Sequence, residues 1–141
     1  RQMAVLSRTP IRITLDTSDF DSIKQGANGA SNTTTARLQY IKRAMQVSEA
    51  FYEARLQVTQ AMRIFAPTTC YDFSPPKNDI DNGIASSDLH IYVQYVTDKA
   101  INYGGTGVSC RVFTGTSVPD STFQPGRPTI GRIKFNTYTL L

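Results

Sequence analysis

The C-terminal part of the chain decides the fold, because three strand-like runs follow one another there. They are Asp88 to Val96 (DLHIYVQYV), Val108 to Thr114 (VSCRVFT) and Thr129 to Thr137 (TIGRIKFNT). Loops rich in glycine and proline separate the runs, as is typical between strands. Both alternating sets of side chains in the first run are partly apolar, which predicts a strand inside a sheet with cover on each face. The second run is predicted to lie antiparallel to its neighbours.

The earlier part of the chain adds strands and one long helix. Ile11, Ile13 and Leu15 alternate with polar residues and predict a first strand, and residues 20–35 form a polar loop by composition. An amphipathic helix follows, with a buried stripe at three- and four-residue steps made of Leu38, Ile41, Met45, Ser48 and Tyr52. The segment from Leu56 to Phe65 is then predicted to form one bent strand or two short ones. A strand, a helix and a second strand predict a parallel unit with a right-handed crossover.

Composition indicates one globular domain covering residues 1–141, with 40% apolar and 18% charged residues. The predicted class is α/β with α+β character: a twisted, mixed, five-stranded sheet with one antiparallel edge strand and one long covering helix. No apolar run approaches the roughly 20 residues that a membrane span needs. The net charge of +4 is scattered along the chain, whereas nucleic-acid binders cluster their basic residues. We therefore expect neither a membrane span nor a nucleic-acid partner.

Several segments together resemble the leishmanolysin family of zinc metalloendopeptidases, which are metzincins. The strings SSDLHIYVQYV, GVSCRVF and GRPTIGRIKFNTYTL are similar to the stretch that leads up to the zinc-binding helix of that family. PIRITLDTSDFD resembles its first strand, Ala36 to Val58 its first long helix and the next strand, and CYDF a turn of the family. The resemblance covers nearly the whole chain and implies the N-terminal subdomain of such an enzyme.

The catalytic signature of the family, HExxH, is absent from this sequence. That motif holds zinc through two histidines one helical turn apart and uses the glutamate as general base. The resemblance therefore implies no catalytic residue, no metal ligand and no cofactor in this chain, with zinc held by a C-terminal part. The apolar end Tyr138–Leu141 is expected to pack on that part or on another protein.

The resemblance also implies a functional surface. The second of the three runs matches the edge strand along which metzincins align a peptide or protein substrate, and its residues here are Val108, Ser109, Cys110, Arg111, Val112 and Phe113. Main-chain pairing along an exposed edge supplies affinity in such binding. An ordinary edge strand shielded by the loop from Pro119 to Pro128 is the other interpretation of these residues. At the level of the whole protein, the alternative function is a non-catalytic, peptidase-derived structural or binding module of an extracellular assembly.

Two cysteines and one sequon bear on the cellular compartment. From the residues alone, Cys70 and Cys110 are either a disulfide or two buried thiols, and the resemblance implies the disulfide. Asn32 opens an Asn-Thr-Thr sequon for N-glycosylation. Together these features predict a secreted or cell-surface protein.

Other polar residues are predicted to be structural. His90 is the chain's one histidine and lies within a strand, where a structural role is the more common one. Asp79, Asp81 and Asp88 lack the spacing and the closing glutamate of a calcium-binding EF-hand loop. The run from Gly104 to Gly107 lacks the lysine and the following helix of a phosphate-binding loop and is predicted to be a flexible link.

Overall fold

The computed structural model describes residues 8–21, 32–60, 63–96, 98–112 and 126–136. In chain order the described strands are β1 (Thr9–Pro10), β2 (Ile13–Asp16), β3 (Gln57–Val58), β4 (Arg63–Ile64), β5 (Ile84–Ala85), β6 (Leu89–Val96), β7 (Gly105–Val112) and β8 (Pro128–Asn136). The described helices are α1 (Ser18–Asp21), α2 (Asn32–Glu53) and α3 (Lys77–Asp81). The prediction of a mixed α/β chain with one long helix is confirmed. None of these helices combines the length and the apolar character that a membrane crossing requires.

The main sheet has the strand order β2-β6-β8-β7. β2, β6 and β8 are mutually parallel, and β7 pairs antiparallel with β8. β6 lies inside the sheet and β7 lies at one end of it, so the predicted mixed sheet with an antiparallel strand is confirmed. The described residues contribute four strands to this sheet, and the predicted count of five is not confirmed.

The predicted parallel unit around the long helix is wrong. The parallel neighbour of β2 is β6, whereas the chain after α2 forms β3, which pairs antiparallel with β1, and β4, which pairs antiparallel with β5. A strand inside a sheet covered on both faces must be apolar on both sides. The residues around β3 (LQVTQ) carry apolar side chains on one side only, whereas β6 carries them on both. β6 therefore suits the inner position and the segment after the helix does not.

Two predicted loops differ from the structure at their boundaries. Helical residues occupy both ends of the predicted loop 20–35, because α1 extends to Asp21 and α2 begins at Asn32; residues 22–31 lie outside the described residues. Gly105 to Gly107 belong to β7 and not to a flexible link. Gly105 is opposite Phe135, and a Cβ added there would lie 3.3 Å from Phe135 Cδ1. The absence of a side chain thus allows β7 to continue alongside the aromatic ring.

The two faces of the sheet carry different cores. On one face, Leu38 of α2 packs on Val93 of β6, and partly buried apolar side chains surround this pair: Leu15, Ile41, Met45, Ile91, Tyr95 and Phe135. The stripe predicted for α2 is buried at Leu38, but Tyr52 at the end of the helix is 51% exposed. The helix therefore covers this face of the sheet incompletely.

On the other face, residues 63–88 cover the sheet. Tyr92 and Ile130 are buried there against Ile64 and Ala66. The Tyr92 hydroxyl donates a hydrogen bond to Asp79 Oδ2 of α3 at 2.8 Å, so the ring is buried without leaving its polar group unsatisfied. Full burial of side chains of this size contributes roughly 1.5–3 kcal/mol each.

Candidate peptide-binding edge

β7 is an end strand of the sheet as far as the described residues extend. β8 pairs with it on one side, and no described strand pairs with it on the other. In an antiparallel pair only alternate residues direct their main-chain groups at the neighbour, so the remaining groups of β7 face outward. Of the residues predicted to form the edge, Val108–Val112 lie in β7, and Phe113 lies outside the described residues.

A bulge and a disulfide fix the second half of β7. The register passes from Ser109 opposite Gly131 to Arg111 opposite Ile130, so Cys110 is an extra residue in the ladder. Cys110 is bonded to Cys70, with Cα atoms 5.1 Å apart, which confirms the predicted disulfide. The bridge links the edge strand to the segment that covers the sheet.

The cysteine at the other end of the bridge begins a tight turn. Cys70 and Phe73 exchange both main-chain hydrogen bonds, at 2.7 Å and 3.1 Å. Tyr71 inside the turn has a φ of 58°, in the left-handed region that non-glycine residues seldom adopt. Its side chain is 74% exposed. The turn therefore presents an aromatic ring to solvent from a rigid backbone.

Asp72 of the same turn is anchored to the sheet by two cations. Its carboxylate accepts hydrogen bonds from Arg132 Nη1 and, at 3.1 Å, from Lys134 Nζ. Arg132 also donates from Nε to Gln94 Oε1. The hydrogen bonds from Arg132 and then from Lys134 hold the pKa of Asp72 far below its usual range. The carboxylate is therefore ionised throughout the physiological pH range.

A groove of about 220 Å³ lies between this turn and β7. It is lined by Tyr71, Asp72, Tyr103, Thr106, Val108, Arg132 and Lys134. Lys134 is directly opposite Thr106 in the ladder, and Arg132 is directly opposite Val108. The side chains of β7 that line the groove are therefore on the same sheet face as the two cations.

His90 lies in a polar cluster inside the fold. Its Nδ1 is 2.6 Å from Thr14 Oγ1, which is itself 2.8 Å from Ser87 Oγ. The imidazole stands edge-on to the ring of Tyr92, with centroids 4.7 Å apart, and is 9% exposed. Burial lowers the pKa of His90. These contacts join His90 of β6 to Thr14 of β2, which is a structural role.

The three aspartates considered for calcium have separate partners. Asp88 is fully buried and accepts hydrogen bonds from Arg12 Nε at 2.9 Å and from the Arg12 main chain at 3.0 Å. Asp79 accepts from Tyr92, and Asp81 pairs with Lys77 within α3. Within the described ranges no group of three His, Cys, Asp or Glu side chains is placed to hold a metal.

The groove contains residues that sequence reasoning did not identify. Arg132 and Lys134 are two positions apart in one strand and therefore share a face, but Asp72 is 60 residues from Arg132 and no local pattern connects them. Tyr71 and Tyr103 are ordinary loop tyrosines in the sequence. Of the other predicted positions, Asn32 is the first residue of α2, and Tyr138–Leu141 lie outside the described residues.

Comparison of the sequence with protein-family models and with curated proteins finds no match in either set.

Proposed function

We propose that the chain is the N-terminal scaffold and substrate-aligning subdomain of a leishmanolysin-like, secreted or cell-surface zinc metalloendopeptidase. In this role it binds an extended peptide along β7 and presents it to a catalytic part that carries the zinc. The chain does not hydrolyse the peptide by itself. The resemblance of its strands to the family is the basis for the proposed peptidase activity of the whole protein. The geometry of the β7 edge supports the proposed binding of a peptide.

The observation that carries the proposal is the anchored outer edge of β7, with which no described strand pairs. The strand is eight residues long and antiparallel to β8, and six of its residues are exposed. An added strand gains main-chain hydrogen bonds on that edge without any rearrangement of the sheet. Long exposed edges also invite aggregation, and natural proteins usually shorten or cover them. No described strand covers this edge, and most of the loop from Pro119 to Pro128 that was considered as a shield lies outside the described residues. A long edge without a described partner is consistent with a binding role.

Rigidity of the edge supports the aligning role. The Cys70–Cys110 disulfide holds β7 near its C-terminal end, and β8 holds it along its length. Preorganisation of this kind reduces the ordering cost of binding and fixes the register of the bound chain. The disulfide and the sequon at Asn32 fit an oxidising, extracellular compartment.

The apolar surface of α2 supports the presence of a further packing part. Val47 and Phe51 are 64% and 49% exposed, and Leu56 just beyond the helix is 46% exposed. Leu56 also lines an apolar cleft of about 430 Å³ between α2 and the strands β2 and β6, on the side of the helix that faces the sheet. Burying such a surface is favourable at roughly 25 cal/mol per Å². In the proposed enzyme, the C-terminal part packs against this region.

The same apolar surface also suits the alternative function. A peptidase-derived module without catalytic activity would use it to dock on another component of an extracellular assembly. The two functions differ at β7, because the module does not need a peptide bound at that edge. A peptide-binding experiment therefore separates them.

Backbone methylation of a peptide tests strand addition directly. The probe is a fluorescein-labelled, extended peptide of serine and threonine with a central variable residue, about eight residues long to match β7. Only every second N–H of an added strand faces β7, so two versions are compared that carry an N-methyl group on successive residues. Fluorescence anisotropy gives the affinity of each, and hydrogen exchange of the β7 amides locates the binding.

One methylated version is expected to lose most of its binding and the other to keep it, with slower exchange confined to β7. Equal loss for both versions would indicate contacts other than strand pairing. Absence of binding by every peptide would refute the aligning role and leave the structural module.

A further inference from the structure

A peptide added to β7 would place its side chains alternately on the two faces of the sheet. Side chains alternate along each strand, and paired strands lie about 4.8 Å apart. One set of peptide side chains would therefore stand beside Thr106 and Val108, at the mouth of the groove that Tyr71 and Tyr103 line. This placement rests on the proposed function, because it requires a peptide bound at the edge.

The turn that carries Tyr71 and Asp72 forms one wall of the groove. The disulfide and the ion pairs fix the position of this turn. The Cys70–Cys110 bridge ties the turn to β7, and Asp72 ties it to Arg132 and Lys134 on β8. The exposed ring of Tyr71 is thus held beside the edge strand. A side chain that enters here meets a preformed site and not a mobile loop.

The fixed charges of the groove are unequal. It is lined by two cations, Arg132 and Lys134, and by one carboxylate, Asp72. Arg132 is directed at Asp72 and Gln94, and its side chain is 8% exposed. Lys134 is 21% exposed and makes one hydrogen bond to Asp72, although an ammonium group has three donors. Among the described residues the groove therefore has one excess positive charge, and Lys134 retains donor capacity.

We infer that this groove selects an acidic side chain, glutamate or aspartate, from an extended peptide bound along β7. The added strand would lie about 10 Å from β8, two strand spacings away. That gap is within the combined reach of a lysine and a glutamate side chain, with Thr106 lying between them. The rings of Tyr71 and Tyr103, which also line the groove, can pack against the methylene groups of the peptide side chain.

The test uses both N-methylated versions of the probe peptide. In each version, the affinity with glutamate at the variable residue is compared with the affinity with glutamine there. The two residues have the same shape and differ in charge. A partly exposed ion pair predicts about fivefold tighter binding of the glutamate peptide, and the preference should decrease between about 0.05 and 0.5 M salt. Lys134→Gln is expected to abolish the preference. The matched control, Lys77→Gln, removes the same charge from α3, away from the groove, and should keep it.

The outcomes separate this inference from the proposed function. If glutamate and glutamine peptides bind equally well and show the N-methyl alternation, then the edge binds peptides and the acidic preference is wrong. If Lys77→Gln reduces the preference as much as Lys134→Gln does, then the overall charge of the protein causes it and the groove does not. If no peptide binds, the proposed function and this inference both fail.

Discussion

Removal of the disulfide is expected to weaken the fold by a calculable amount. The bridge spans 40 sequence positions, and the chain-entropy relation gives about 4 kcal/mol for a loop of that length. Single domains are stable by about 5–15 kcal/mol, so the loss is a large part of the total. For a urea dependence of about 2 kcal/mol per molar, the unfolding midpoint of Cys70→Ala/Cys110→Ala should fall by about 2 M.

Urea unfolding followed by circular dichroism measures this loss. The matched control is the unmodified chain with its disulfide reduced, which should shift by a similar amount because it lacks the same cross-link. Release of the turn should also weaken binding of the glutamate peptide, since the turn forms one wall of the groove. A midpoint shift below about 0.5 M would refute the assignment of the bridge as a main constraint on the fold.

Three further changes test other parts of the structure. Asp88→Asn should destabilise the chain by about 1–3 kcal/mol in urea unfolding, because the neutral amide accepts the hydrogen bonds from Arg12 less strongly than the fully buried carboxylate does; a loss below about 0.5 kcal/mol would contradict this pairing. Since burial lowers the pKa of His90, the unfolded chain binds the proton first, and the free energy of unfolding should decrease as pH falls through about 6.5. His90→Gln should flatten that part of the pH profile, and an unchanged profile would show that another group causes it. Gly83→Ala should lower the melting temperature more than Gly126→Ala does: both glycines have positive φ, but a Cβ at Gly83 would lie 2.9 Å from a main-chain oxygen whereas one at Gly126 meets nothing within 4 Å.

Elements with a strong local signal were predictable from the sequence. β6 and β8 are continuous β-prone runs of eight and nine residues, and the apolar spacing around Leu38 and Met45 identifies α2. The inner position of β6 also followed from its two apolar faces. In each case the information lies within about ten consecutive residues, the range over which periodicity acts.

Strand pairing was predictable only in part, because it depends on which distant segments compete for the same position. The segment containing β3 has a β-prone composition, but β6 is the better neighbour for β2 and occupies that place. Cys70 and Cys110 had one possible intramolecular partner each, so the only open question was whether they form a disulfide or remain free thiols.

The groove could not be predicted from the sequence. Its charge arrangement joins Asp72 to Lys134, 62 residues away, and depends on the turn that Cys70 begins. Short-range patterns contain no information about such a contact. The edge strand itself was predictable because it is a single continuous segment.

Intact mass of the native polypeptide, combined with peptide mapping beyond residue 141, tests the proposed peptidase role most directly. The account predicts a continuation that carries HExxH, the motif that holds zinc in metzincins. A polypeptide that ends near Leu141, or a continuation in which the zinc-binding histidines are replaced, would contradict the peptidase role and favour the non-catalytic module.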